Sequence, residues 1–414
     1  MTNIAFGAKS APLPRAFYLL TAARLAATFG MFLNMMVVNI FVLDITGSAA
    51  WVAALMGIRV ISGMLFSPYI GALADRIDRK RMMVLSDLIL SAFIFLTIFV
   101  PVGVVKYYFL FAMLLIGVLS SVVDIALNAA VPAILDSKNT IKANSILMGG
   151  KNIIVALAAM LSIFVKELFA NYDMVFIINA LAYGAAGLII LSLKIKTEEA
   201  KTLTEAKEPT KKKRGFFLAF KEDYGDVFAL PDFKVIAIMI FILTLDGLAS
   251  GSHNIGWPVF SMAANPDNPF KIYGAIMAFW ALGNIIGIFW LTKSALARKL
   301  RPENLYLACT AIMSLGMILT VQTNIFLITI FAACLAGFGD GAYQTFFNTY
   351  LQTAPDNLRG KLFGLSSTCL RTGFGASFFI MPILLTMMSV PTLLIVSHGP
   401  VIVISLLFLI LHKR

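Results

Sequence analysis

Residues 50–101, AWVAALMGIRVISGMLFSPYIGALADRIDRKRMMVLSDLILSAFIFLTIFVP, hold two apolar runs on either side of a knot of charge. The runs cover 50–73 and 82–101, each close to the roughly 20 residues a helix needs to cross a hydrocarbon core. Neither alternates with a period of two, and backbone groups cannot go unpaired in lipid, so both read as membrane helices rather than barrel strands. Four cations, Arg76, Arg79, Lys80 and Arg81, crowd the intervening loop and place it on the cytoplasmic face.

Scanning outward with a window of about 19 residues gives further spans of the same kind. They fall at 17–43, 50–73, 82–101, 107–134, 143–166 and 173–194, then at 235–261, 271–293, 304–321, 324–352, 361–387 and 392–411. The reading is an all-α polytopic membrane protein of twelve transmembrane helices in two six-helix bundles, with both termini cytoplasmic. Composition agrees: 60% of the 414 residues are hydrophobic and only 13% charged, against about 25% charged in a soluble chain. A disordered chain, a secreted disulfide scaffold and an ordinary cytosolic enzyme are thereby excluded. The apolar run after Arg15 is too long for a signal peptide, so the first span is expected to be retained. Cys309, Cys334 and Cys369 sit in apolar runs and read as buried small hydrophobes, not as a disulfide or metal set.

The net charge of +12 suggests a nucleic-acid binder until the cations are placed. On this topology 26 of the 33 basic residues are cytoplasmic, three (Lys106, Lys166, Lys271) are outside, and four (Arg24, Arg59, Lys151, Arg371) lie within spans. That asymmetry is the positive-inside pattern and sets the orientation. Spread over seven short segments, the cations form no single nucleic-acid face.

The only long polar segment, 195–234, divides the chain into an N-terminal bundle, 1–194, and a C-terminal bundle, 235–414. Within it, about 215–230 sets Phe216, Phe217, Phe220, Tyr224 and Phe228 against Lys221, Glu222, Asp223 and Asp226. This pattern predicts an amphipathic helix lying on the inner membrane surface. The halves also repeat: Asp124-Ile-Ala-Leu-Asn128 matches Asp340-Gly-Ala-Tyr-Gln344, and Lys142 keeps step with Arg359. Parallel repeats of six spans are one way a secondary transporter builds a central site between rocking halves.

The loop between spans 2 and 3, Gly71-Ala-Leu-Ala-Asp75-Arg76-Ile-Asp78-Arg79-Lys80-Arg81, resembles the signature G-x-x-x-D-R-x-G-R-R of the major facilitator superfamily. The resemblance in layout covers the whole chain and is nearest to the macrolide and enterobactin exporter branch of the drug:proton antiporters. It implies that Gly71 permits close helix packing, that Asp75 caps or pairs near a neighbouring helix, and that Arg76, Arg79 and Lys80, with Arg81 beside them, latch the halves. Asp78 departs from the pattern, standing where the family most often has Gly. Span 5, with Met148-Gly-Gly-Lys151-Asn152-Ile, lacks the Gly-Pro pair that marks many drug antiporters.

Polar groups inside spans need an account, since a charge at mid-bilayer costs about 2.5–3.5 kcal/mol on insertion scales. Arg24 and Asp87 lie near the cytoplasmic end and read as structural. Arg59, Lys151 and Arg371 lie deeper and suit the anionic groups of a substrate. Asn34, Asn128, Asn254, Gln344 and Tyr343 are further candidates for substrate binding, and Asn284 is polar without an assigned role. In a partly dry cavity a carboxylate exchanges its proton as its surroundings change, so Asp246, Asp124 or Asp340 is a candidate for proton coupling. His253 is either a fourth such group or a hydrogen-bonded helix-end residue beside Trp257-Pro258.

There is no Walker loop and no H-E-x-x-H, and three scattered histidines do not make a usual zinc site, so no enzyme activity and no cofactor is expected. The resemblance implies a monomeric, alternating-access transporter of a bacterial inner membrane, exporting a small amphipathic anion in exchange for protons. Proton-coupled uptake of an anionic metabolite or metal chelate is the alternative, and a non-transporting receptor or scaffold the remote one. The expected partners are a small-molecule substrate, protons and the lipid bilayer, with no nucleic acid.

Overall fold

The computed structural model describes residues 13–74, 77–134, 140–169, 172–193, 225–294, 297 and 299–411. Among them are twelve helices of 18 residues or more. In chain order these are α1 (Arg15–Thr46), α2 (Ala49–Ala74), α3 (Arg79–Leu96), α4 (Val102–Ile134), α5 (Thr140–Ile163) and α6 (Asp173–Ser192). The second set is α7 (Phe233–Ala264), α8 (Pro269–Lys293), α9 (Pro302–Leu319), α10 (Phe326–Leu351), α11 (Asp356–Leu385) and α12 (Val390–Leu411). Each overlaps a predicted span, and the described residues contain no strand. Eleven are long and apolar enough to cross a membrane, while in α5 the apolar part covers Gly149–Ile163. The predicted interfacial helix lies outside the described residues as far as 224; residues 225–228 form one helical turn with Val227 buried.

Local chemistry explains the helix ends. The tight link from α1 to α2 uses Gly47 at φ +60°, a left-handed conformation in which glycine has no Cβ penalty, and its N–H closes α1 on the Leu43 carbonyl at 2.8 Å. Asp78 precedes α3 at φ −53° and accepts the backbone N–H of Arg81 at 2.9 Å. The departure from the family glycine is therefore an N-cap that satisfies a first-turn donor.

The described residues fall into two compact units. The first comprises described residues within 13–34, 61–154 and 173–193. Here α3 packs on α6, with the Ser91 hydroxyl donating to the Ala180 carbonyl at 2.7 Å and Gly184 and Gly187 lying against Ser91 and Leu88. Arg24 of α1 meets Asp87 of α3 at 2.6 Å. The second unit comprises described residues within 35–60, 155–172 and 225–411. Leu43, Val52, Ala53 and Met56 of α1 and α2 share one apolar cluster with Ile255, Phe378, Met381 and Leu393. Nearby, Asn39 Nδ2 donates to the Tyr273 hydroxyl at 3.3 Å, and Lys271 pairs with Glu167 at 3.1 Å.

Candidate functional site

Glycines decide where the second unit holds its carboxylates. In α10 the run Gly337-Phe-Gly339-Asp340-Gly341 crosses Gly283-Asn284-Ile-Ile-Gly287 of α8. A Cβ on Gly337 would fall inside the Trp280 carbonyl, one on Gly283 inside that of Cys334, one on Gly287 inside that of Phe338 and one on Gly341 inside that of Asn284. Gly339 presses equally closely on α9, at Met313 N and Cys309 O. The helices touch backbone to backbone, as small-xxx-small pairs allow in membranes.

Asp340 is carried into this crossing. Asn284 Nδ2 donates to its Oδ2 at 2.9 Å and Gln344 Nε2, one turn along α10, donates to Oδ1 at 3.3 Å. A second crossing places Asp246: Gly247 and Gly251 of α7 lie against Leu370 and Ser377 of α11, and Gly373 of α11 against the Thr244 carbonyl. The Tyr343 hydroxyl donates to Asp246 Oδ2 at 3.3 Å. Residues 340, 343 and 344 share one face of α10 by their spacing. The Tyr306 ring lies 6.0 Å from that of Tyr343, and its hydroxyl donates to the Met239 carbonyl at 2.8 Å. Asp246 is 4% and Asp340 9% exposed, and among the described residues no salt bridge reaches either carboxylate. Four sequence candidates, Asp246, Asp340, Tyr343 and Gln344, are thus joined in one polar cluster, buried at the first three and exposed at Gln344. Asn284 and Tyr306 complete it, and no pattern in the sequence gave them a role there; the paired G-x-x-x-G runs were the signal available.

His253 lies elsewhere in the same unit. Its Nδ1 is 3.2 Å from Nε2 of the fully buried His398 in α12, and the Trp257 ring is 5.0 Å away. Nothing in the sequence linked residues 145 positions apart.

The remaining candidates are distributed. In the first unit, the Asp124 and Lys151 side chains are exposed in the course of α4 and α5, and Asn34 is buried, its Oδ1 without a hydrogen-bond partner among the described residues. The Asn128 side chain lies outside the described residues. In the second unit Arg371 is exposed at the middle of α11, Arg59 is half-buried with Nη1 3.1 Å from Met35 Sδ, and Asn254 Nδ2 is bonded to the Ser250 carbonyl at 2.8 Å. Charged side chains exposed in mid-span fit a water-filled path rather than hydrocarbon.

Of the signature loop, Gly71 lies in α2, while Asp75 and Arg76 fall outside the described residues. Lys80 Nζ donates to the Leu193 carbonyl at 2.7 Å, at the end of α6. Arg79 is half-buried and Arg81 exposed.

Residues 20–378 match the sequence profile of the Major Facilitator Superfamily. The chain belongs to that superfamily. Membership makes it a multi-pass membrane protein of transporter type rather than an enzyme. Solved superfamily-like structures superpose over nearly the whole chain. A variant of the nucleoside transporter NupG is 12% identical, with a TM-score of 0.72, over 95% of this chain and 99% of that one. The POT family transporter PepTSo is 14% identical, with a TM-score of 0.69, over 97% and 98%. A bacterial homologue of the human lysosomal transporter Spinster is 14% identical, with a TM-score of 0.64, over 98% and 96%. At such identities the likeness is one of fold. No curated protein matches the chain in sequence.

Proposed function

We propose that this superfamily member is a secondary active transporter of a bacterial inner membrane that exports a small amphipathic anion in exchange for protons. Residues 1–194 and 235–414 would rock as two bodies about a central site. The observation that carries the reading is the pair of buried carboxylates, Asp246 and Asp340, bonded only to neutral donors. Ionisable groups inside a membrane that are not neutralised by a fixed cation mark proton relays. Exposed Lys151 and Arg371, in mid-helix, supply the positive charge for an anion.

Uptake is the second reading, favoured by Met148-Gly-Gly-Lys151 of α5, which lacks the Gly-Pro pair of many antiporters. A thermal-shift screen of the purified protein against carboxylates, siderophores, nucleosides and peptides identifies the ligand by mass action. Flux of that ligand in vesicles under an imposed pH gradient then gives the direction. Export into the acidic compartment is expected; ligand movement in the direction of the protons supports uptake, and flux indifferent to the gradient refutes proton coupling.

A further inference from the structure

We propose that Asn284 is the residue that positions Asp340, and that the two buried carboxylates divide the work: Asp340 is held in place while Asp246 exchanges the proton. This rests on the proton-coupled reading above.

The argument starts from backbone contact. Gly283 and Gly287 fix α8 against α10 on either side of Asn284, and the Asn284 carbonyl itself lies against Gly341. The Asn284 side chain is short, 8% exposed for the whole residue, and its Nδ2 reaches Asp340 Oδ2 at 2.9 Å. With Gln344 on Oδ1, both oxygens of Asp340 are engaged by amide groups. An amide nitrogen donates and never accepts, so a proton on Asp340 would require an amide to turn over. At Asn284 that turn would swing a buried amide set between Gly283 and Gly287, and at the exposed Gln344 it would give up the 3.3 Å bond, so protonation of Asp340 costs a donor on either oxygen.

Asp246 is held differently. Among the described residues its carboxylate is hydrogen-bonded by the Tyr343 hydroxyl, and a phenol both donates and accepts. The same contact therefore survives in either protonation state by reversing its direction. The titratable groups facing the cluster are Tyr343 on α10 and Tyr306 on α9. From α8 comes Asn284, which does not titrate, and Arg371 of α11 makes no ion pair with either carboxylate among the described residues. Gly247, next to Asp246, sets α7 on α11 and not on α10, so Asp246 and Asp340 belong to separate backbone crossings. Loss or gain of a proton at Asp246 leaves the α8–α10 crossing intact.

The test reads protonated carboxyl groups directly, by the infrared C=O stretch of the carboxylic acid in the purified full-length protein as pH is varied. Wild type is expected to show an acid band that comes and goes with pH. Asp246→Asn should lose it and Asp340→Asn should keep it. Asn284→Leu, which keeps the branching of Asn without its polar atoms, should gain a second titrating band, which the Asn284→Leu/Asp340→Asn double variant lacks; Asn284→Ala serves the same purpose should the larger leucine disturb the crossing. A titrating band lost in Asp340→Asn and kept in Asp246→Asn overturns the proposal, as does the absence of a second band in the Asn284 variants. A wild type with no titrating band overturns the proton-coupled reading itself.

Discussion

Asp87 in α3 and Asp340 in α10 are both buried carboxylates in long apolar helices, but Asp87 meets a guanidinium at 2.6 Å while Asp340 meets two amides at 2.9 and 3.3 Å. The first arrangement locks a charge: Arg24 neutralises Asp87, and neither gains from changing protonation. The second fixes a position without cancelling the charge. The repeat sharpens the contrast, because Asp340 has its sequence counterpart in Asp124 rather than in Asp87. Asp124 is flanked by Val123 and Ile125, where Asp340 is flanked by Gly339 and Gly341. Asp124 is exposed on α4, whereas glycines draw α10 onto its neighbours around the buried Asp340. The two matching positions thus have two different environments.

The strongest test of that contrast is functional. Asp246→Asn and Asp340→Asn should each abolish ligand accumulation driven by a pH gradient in proteoliposomes, while Asp124→Asn retains most of it; the reverse ranking would sink the assignment of the cluster. Next in size is Arg24→Leu, expected to lower stability by about 3–5 kcal/mol because it strands a fully buried carboxylate. Thermal unfolding in detergent reads this, and Arg24→Leu/Asp87→Leu should recover most of the loss. Gly337→Ala should cost about 1–3 kcal/mol or more, since its methyl meets the Trp280 backbone. Gly63→Ala in α2 meets the Ser121 hydroxyl at 2.8 Å, which can rotate away, and the Gly117 carbonyl only at 3.0 Å, and should cost less. An equal loss at the two glycines would remove the distinction between a tight and a loose crossing. The smallest effect is Asp78→Ala, about 1 kcal/mol for a lost N-cap, read as a small drop in the unfolding midpoint.

Much of the fold was legible because a hydrocarbon solvent leaves the chain few choices: length, apolarity and the distribution of cations predict all twelve helices. The candidate site was legible by residue type only. Asp246, Asp340 and Tyr343 stand out as polar groups in apolar runs, but which of them meet depends on helix crossings, and these depend on glycines whose spacing does not name a partner. Asn284 was visible as a buried amide without a role, and its role comes from Gly283 and Gly287 beside it. His398, in the last span, had no local signal to tie it to His253. Arg24 and Asp87 were read as structural from depth alone; their direct pairing adds the partner.

The bond from Lys80 to the Leu193 carbonyl bears on biosynthesis. Lys80 emerges from the ribosome with the second and third helices, yet its acceptor exists only once α6 has been made and has docked on α3. Domains synthesised first generally fold first. The bond therefore forms only once the sixth helix has found its place, and it needs no residue of α7.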